Sequence, residues 1–261
     1  MTPSIVRSLY DKIYEQSRFF DIELVSGSTP VISFGDFTIS KVATLGINPS
    51  SIEFVDTRGK VLEKGRKRLT DLETLGLSNT DFFESRKHVD EIWKGCQDYF
   101  NQELNPYWKW FGDLEKVLAK SNYSYLNRTV CHLDLFPLAT KKMFSQFTNI
   151  EKFVSVTNFR FVLDSQLQES NIEKLIFNGA TVFRSLQFTQ NYQLNYDGLV
   201  KYKVKGKQLS SKLFYGETYY GQKIYGWTVN LQAFRGTGEE KEKLIESLNE
   251  WLNSKNKKNA H

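Results

Sequence analysis

Four short apolar runs, each closed by a turn signal, constrain this chain more than any other feature. They are Lys41-Val42-Ala43-Thr44-Leu45-Gly46-Ile47, Thr129-Val130-Cys131-His132-Leu133-Asp134-Leu135, Lys174-Leu175-Ile176-Phe177-Asn178, and Ile224 to Leu231. Runs of this length read as strands buried on both faces. Helical segments lie between them. An amphipathic helix is expected over about 3–18, mainly helical structure over 60–120, and a helix over about 149–169. An aromatic-rich helix is expected to begin in Asn105-Pro106-Tyr107-Trp108-Lys109-Trp110-Phe111. Strands that alternate with helices predict a parallel sheet covered on both sides. The expected fold is α/β: a three-layer α/β/α sandwich with a short, mostly parallel central sheet.

The carboxyl-terminal part carries two further signals. Residues 198–230 are rich in Tyr, Lys and Gly and read as a hairpin leading into the fourth strand. Alternation of Lys201, Lys203, Lys205 and Lys207 would put four ammonium groups on one face. Thr237-Gly238-Glu239-Glu240 is a capping box, and Leu244, Ile245, Leu248, Trp251 and Leu252 form the apolar stripe of a last helix. The Lys-rich tail from Asn253 to His261 is expected to fray. With no repeats and no Pro-, Gly- or Ser-rich linker, residues 1–261 read as a single domain.

Composition narrows the function classes. No apolar run approaches the about 20 residues of a membrane helix, and the first residues lack the apolar core of a signal peptide. The expectation is a cytoplasmic protein with no membrane partner and no obligate protein partner. The 2 Cys, Cys96 and Cys131, and the 3 His have no metal-ligand spacing, so neither a metal nor another cofactor is expected. No P-loop is present, and Gly236-Thr237-Gly238 follows the last strand rather than the first, so phosphoryl transfer and nicotinamide chemistry fit poorly. A formal charge of +5 leans weakly towards a polyanionic partner, and the 20 Phe, 13 Tyr and 5 Trp, most of them expected in the core, would suit stacking on bases if that partner is nucleic acid.

Ligands of open α/β sheets bind at the carboxyl ends of strands, which selects the loops 46–58, 134–142 and 231–238. Gly46-Ile47-Asn48-Pro49-Ser50 lies in the first. Gly46 permits close backbone approach, and Pro49 suits the first turn of a following helix whose free amides would favour an anion. Asn48 then presents a fixed, uncharged amide able to orient a water.

Leu45 to Ser50 resembles the first active-site motif of the uracil-DNA glycosylase superfamily, in which GINPG and GMNPG mark the mismatch-specific and single-strand-selective branches. His132-Leu133-Asp134-Leu135-Phe136-Pro137-Leu138 is similar to the Asn-x-x-Pro-Leu segment whose Asn reads the flipped base. The third strand ending in Asn178-Gly179 and the loop after Val229 follow in the family's order, so the resemblance spans about residues 40–250. It implies that Asn48 is catalytic and that Gly46, Pro49 and Ser50 surround the base. It also implies that Phe54 stacks on the base and that Gln232, Phe234, Arg235 and Gly236 form the loop that fills the DNA or stabilises the leaving group. Arg58 and Lys60 head a basic run, continued by Lys64, Arg66, Lys67 and Arg68, that could contact phosphates.

Two departures from the family sharpen the expectation. The family's last motif usually contains His-Pro-Ser, and this chain has Gln232-Ala233-Phe234-Arg235-Gly236 there. Asp134 replaces the reading Asn. A neutral carboxylic acid accepts from the N4 amine of cytosine and donates to N3, and an ionised one holds an N3-protonated cytosine. Excising plain cytosine would destroy the host genome, so a modified cytosine, hydroxymethylated or glucosylated as in some phage DNA, is the expected target. The resemblance thus implies a DNA glycosylase acting on a flipped base; with no lysine evidently placed for a Schiff base it is expected to be monofunctional, and the Asp134 departure extends the expectation to phage defence. A uracil or mismatch repair glycosylase, with Asp134 only structural, and a catalytically silent DNA-binding module remain alternatives.

Overall fold

The computed structural model describes residues 2–101, 108–189 and 192–258. The apolar runs form β1 (Val42–Gly46), β2 (Val130–Asp134) and β3 (Lys174–Asn178). Hairpin strands β4 (Tyr192–Val204) and β5 (Lys207–Thr218) precede β6 (Lys223–Trp227). The six strands form one sheet in the order β2-β1-β3-β6-β5-β4. Its β2-β1-β3-β6 part is parallel, and β5 and β4 add antiparallel strands. Parallel strands pack closely enough that Phe177 lies across Gly226; a Cβ there would sit 2.3 Å from the ring.

The helices are α1 (Ser4–Ser17), α2 (Val89–Gln97), α3 (Trp108–Leu118), α4 (Asn149–Asn158), α5 (Arg160–Glu169), α6 (Ala180–Leu186) and α7 (Gly238–Lys258). They sort into two packing groups, α3 with α7, and α1, α2, α4, α5 and α6 together, as the outer layers of a three-layer α/β fold. One hydrophobic cluster runs from Val6 to Leu252. Among the described residues no helix is long and apolar enough to cross a membrane.

A segment with no strand signal covers the free edge of β2. Val25 N–H bonds to Ala139 O, Val31 N–H to Pro137 O, and Phe34 exchanges both backbone hydrogen bonds with His132. This removes an open sheet edge and carries Phe34 to the carboxyl end of β2.

The structure corrects several expectations. Residues 60–88 hold only 3-10 turns, at Lys64–Arg66 and Phe82–His88, and the first α-helix of that region begins at Val89. Left-handed glycines at Gly59 and Gly76 interrupt it. The Asp56 carboxylate accepts from the Arg58 and Lys60 amides and that of Asp71 from the Thr74 amide, local bonds that compete with helix. The start of the aromatic-rich helix at Asn105 lies outside the described residues; α3 is helical from Trp108. The helix of 149–169 is two helices broken at Phe159, whose ring is buried against Phe20 and Phe136. The fourth strand stops at Trp227. The tail does not fray at Asn253, because Asn253 bonds to Ser121 and Asn249, and Lys255 pairs with Asp197 at 2.6 Å.

The hairpin also differs from simple alternation. Lys201 and Lys203 face outwards with Leu199, but Lys205 and Gly206 form a two-residue turn with φ of 50° and 78°. Lys207 pairs with Val204 and so belongs to the other face, while Lys212, opposite Leu199, joins the outer one. The capping box at Thr237 forms as read, and its Glu240 carboxylate also accepts from the Lys205 and Gly206 amides. One carboxylate therefore holds both the start of α7 and the hairpin tip.

Candidate active site

β1 and β2 run parallel with Thr44 opposite His132 and Gly46 opposite Asp134. Strand alternation turns all four to one face. Where β1, β2 and β3 end, the chain encloses a cavity of about 240 Å³. Phe34, Leu45, Glu53 and Asp134 are among its buried walls, and Ser50, Trp110 and Asn230 stand exposed at its rim.

Gly46 makes room for the polar groups. A Cβ on it would lie 2.3 Å from Asp134 Oδ1 and 2.6 Å from His132 Nε2. Asp134 is 5% exposed. Its Oδ1 lies 3.4 Å from His132 Nε2, and its Oδ2 is buried with no hydrogen-bond partner among the described residues. A buried carboxylate oxygen without a donor is costly and rare. Asp134 as a residue lines the cavity, and this oxygen is closed to solvent.

Asn48 also lines the cavity. Its amide nitrogen donates to Pro49 O at 3.2 Å, Leu138 O at 3.3 Å and Thr140 Oγ1 at 3.4 Å. With the nitrogen engaged, the carbonyl oxygen is the end left to the cavity. Pro49 is buried, and Ser50 lies at the rim. The helix expected after Pro49 is absent. A single 3-10 turn, Ser51–Glu53, takes its place and offers no helix-terminal anion site.

That turn also reverses the expectation for Phe54. Phe54 is 1% exposed, belongs to the hydrophobic core and does not line the cavity, so it is no stacking residue. Its neighbour Glu53 turns inwards instead. Glu53 Oε2 takes Arg68 Nε at 3.0 Å, and Oε1 accepts from the Tyr99 hydroxyl at 2.8 Å. Burial pushes the Glu53 carboxyl up to about 7, against the pull of Arg68 and Tyr99; the nearby Asp134 carboxylate raises it further. Arg68 is thereby removed from the basic run as a phosphate contact, and Lys67 is paired with Asp71 and Glu73. Arg58 and Lys60 remain exposed on the following loop.

On the far side of the cavity, Asn178 Oδ1 accepts from Trp227 Nε1 at 2.7 Å and Leu231 N at 3.1 Å, while its Nδ2 bonds to Gln232 Oε1. Gln232 Nε2 reaches Trp110 O at 2.9 Å. Of the expected loop, only Gln232 lines the cavity. Phe234 is partly buried, with its ring 5.9 Å from that of Tyr202. Arg235 is exposed, and Gly236 packs against Phe234 and Glu240. The aromatic walls are Phe34 and Phe111, which meet at 6.0 Å between centroids.

Sequence reasoning passed over His132, Glu53, Phe34, Phe111 and Trp110. His132 was legible: two residues before Asp134 on a strand, it must share that residue's face. Phe34 and Glu53 carried no such signal, since each reaches the cavity from irregular backbone. Among the described residues no three His, Cys, Asp or Glu side chains are grouped to hold a metal ion. In comparison with known proteins, no family model matches this chain and no curated protein is significantly similar to it.

Proposed function

We propose that the protein is a monofunctional DNA glycosylase that hydrolyses the N-glycosidic bond of a flipped pyrimidine, a modified cytosine of the kind found in phage DNA. The observation that carries this reading is Asp134, which lines the same cavity as Asn48 and whose buried Oδ2 has no hydrogen-bond partner among the described residues. An ionised carboxylate can only accept, so its complement is an N–H donor such as the exocyclic amine of cytosine. The cavity is below the about 300–1,000 Å³ common for drug-sized ligands and suits one base rather than a dinucleotide.

The target nucleotide leaves the stack at a cost of a few kcal/mol and enters the cavity against the wall that Phe34 and Phe111 form. Water held by Asn48 Oδ1 attacks C1′ as the C1′–N1 bond breaks. The bonding electron pair departs with the base, the water oxygen stays on the sugar, and the base leaves with a proton. No residue forms a covalent bond to the sugar, so the product is an abasic site. Trp110, 49% exposed at the rim, is better placed than Phe234 to meet the opened DNA stack.

Base release from duplexes, scored as alkali-labile sites, tests the reading. Substrates carry uracil, a G·T mismatch, cytosine, hydroxymethylcytosine or glucosylated hydroxymethylcytosine. Release from a modified cytosine is expected, falling about a hundredfold or more with Asn48→Ala. Release from uracil alone would remove the cytosine assignment and keep the glycosylase. Release from none would remove both.

A further inference from the structure

His132 is held from several sides in the cavity wall. The Phe34 ring lies 5.6 Å from its centroid and the Phe111 ring 5.1 Å, at an interplanar angle of 73°. Its Nδ1 is 2.8 Å from Thr44 Oγ1, which lies 2.6 Å from the Tyr125 hydroxyl. Tyr125 is buried, and desolvation pushes its phenol well above the ordinary value, so it keeps its proton. Among the described residues Thr44 Oγ1 is the hydrogen-bond partner of that hydroxyl, so the proton is assigned to this contact. The threonine hydroxyl then has two acceptors in reach, Cys131 O at 3.4 Å and His132 Nδ1 at 2.8 Å. The shorter contact takes it. Nδ1 therefore accepts, and the network places the imidazole proton on Nε2.

Nε2 faces Asp134 Oδ1 across 3.4 Å, too far for a well-formed hydrogen bond. The N–H stays available to a ligand, near Asp134 Oδ2, an acceptor that has no partner among the described residues. We infer that His132 supplies the donor half of the base-reading edge: its Nε2–H bonds to N3 of an aminopyrimidine while the exocyclic amine donates to Asp134 Oδ2. This rests on the glycosylase reading of the cavity. It needs no proton shared between base and carboxylate. It also gives the arrangement a catalytic sense. Negative charge grows on the ring nitrogens as the glycosidic bond breaks, so the donor meets the growing charge while the carboxylate stays on the peripheral amine. The reverse order, which a ketopyrimidine would need, sets the carboxylate against the charge.

Two variants separate hydrogen bonding from packing. His132→Gln keeps an N–H near the Nε2 position, whereas His132→Phe keeps the ring and loses the donor. Release of modified cytosine should fall roughly a hundredfold with His132→Phe and less than tenfold with His132→Gln. Equal loss in both variants, or none in His132→Phe, overturns the inference. No release by the native protein from any duplex overturns the glycosylase reading itself, which is a different result. Nitrogen-15 NMR of the native imidazole gives an arm independent of activity. The Nε2–H tautomer is expected, shifting to a mixture in Thr44→Val. A native Nδ1–H tautomer overturns the inference whatever the substrate.

Discussion

The four parallel strands are each 5 residues long and mostly buried, whereas the hairpin strands run 13 and 12 residues with exposed positions alternating along much of their length. In the parallel half a side chain has almost no freedom: Gly46, His132 and Asp134 occupy space that no added atom can share. The hairpin half presents Lys201, Lys203 and Lys212 to solvent, without an ion pair among the described residues. Function that depends on sub-ångström placement sits where packing fixes it. Charge, which acts over about 8–10 Å at ordinary salt, can sit on an exposed ribbon.

That contrast can be broken by substitutions on each side. Gly46→Ala should have the largest effect, lowering base release at least a hundredfold, because the new methyl displaces both Asp134 and His132. Base release by Gly46→Ala equal to that of the native protein would show that the site is not held as tightly as the contacts imply. Next, Arg68→Met leaves Glu53 buried without its cation. Chemical denaturation at pH 8 should show a loss of about 3 kcal/mol. The loss should shrink at pH 5, where Glu53 takes up a proton.

Glu53→Gln sharpens the same point. The folded carboxyl holds its proton up to about 7, against an ordinary value of 4.5, so between these values the folded state binds more protons than the unfolded chain. The contribution is complete below 4.5 and is lost as pH rises through 7. Denaturation curves across this window should show native stability falling with pH relative to Glu53→Gln. A native slope no steeper than that of the variant would place the proton elsewhere. The smallest stability effect belongs to the ribbon. Lys201→Gln with Lys203→Gln should leave stability within about 0.5 kcal/mol. It should flatten the salt dependence of DNA binding by up to about 0.9 per lost phosphate contact. An unchanged slope would remove this face from the DNA-binding surface.

The parallel strands were legible because burial on both faces leaves continuous apolar runs. The capping box at Thr237 was legible because its chemistry is local. Residues 60–88 misled because polar, Asp- and Gly-punctuated sequence can be satisfied by side-chain bonds to backbone as well as by helix, and Asp56 and Asp71 take that course. Within the site, Gly46 and Asn48 followed from a strand end, and Asp134 from the family resemblance. Phe54 was misassigned since the direction of a side chain in a one-turn 3-10 segment is decided by what it packs against. Phe34 reaches the cavity from a segment that has no periodic pattern.

The Glu240 carboxylate, bonded at once to the Thr237 amide and to the hairpin turn at Lys205 and Gly206, bears on how tightly a partner can be held. A long ribbon left loose would have to surrender its motional freedom on contact, and that loss would be subtracted from every new interaction. Tied to the start of α7, the ribbon makes this sacrifice during folding. A polyanion laid along Lys201 and Lys203 would then meet a ribbon whose turn is already held, with the lysine side chains left to order on contact.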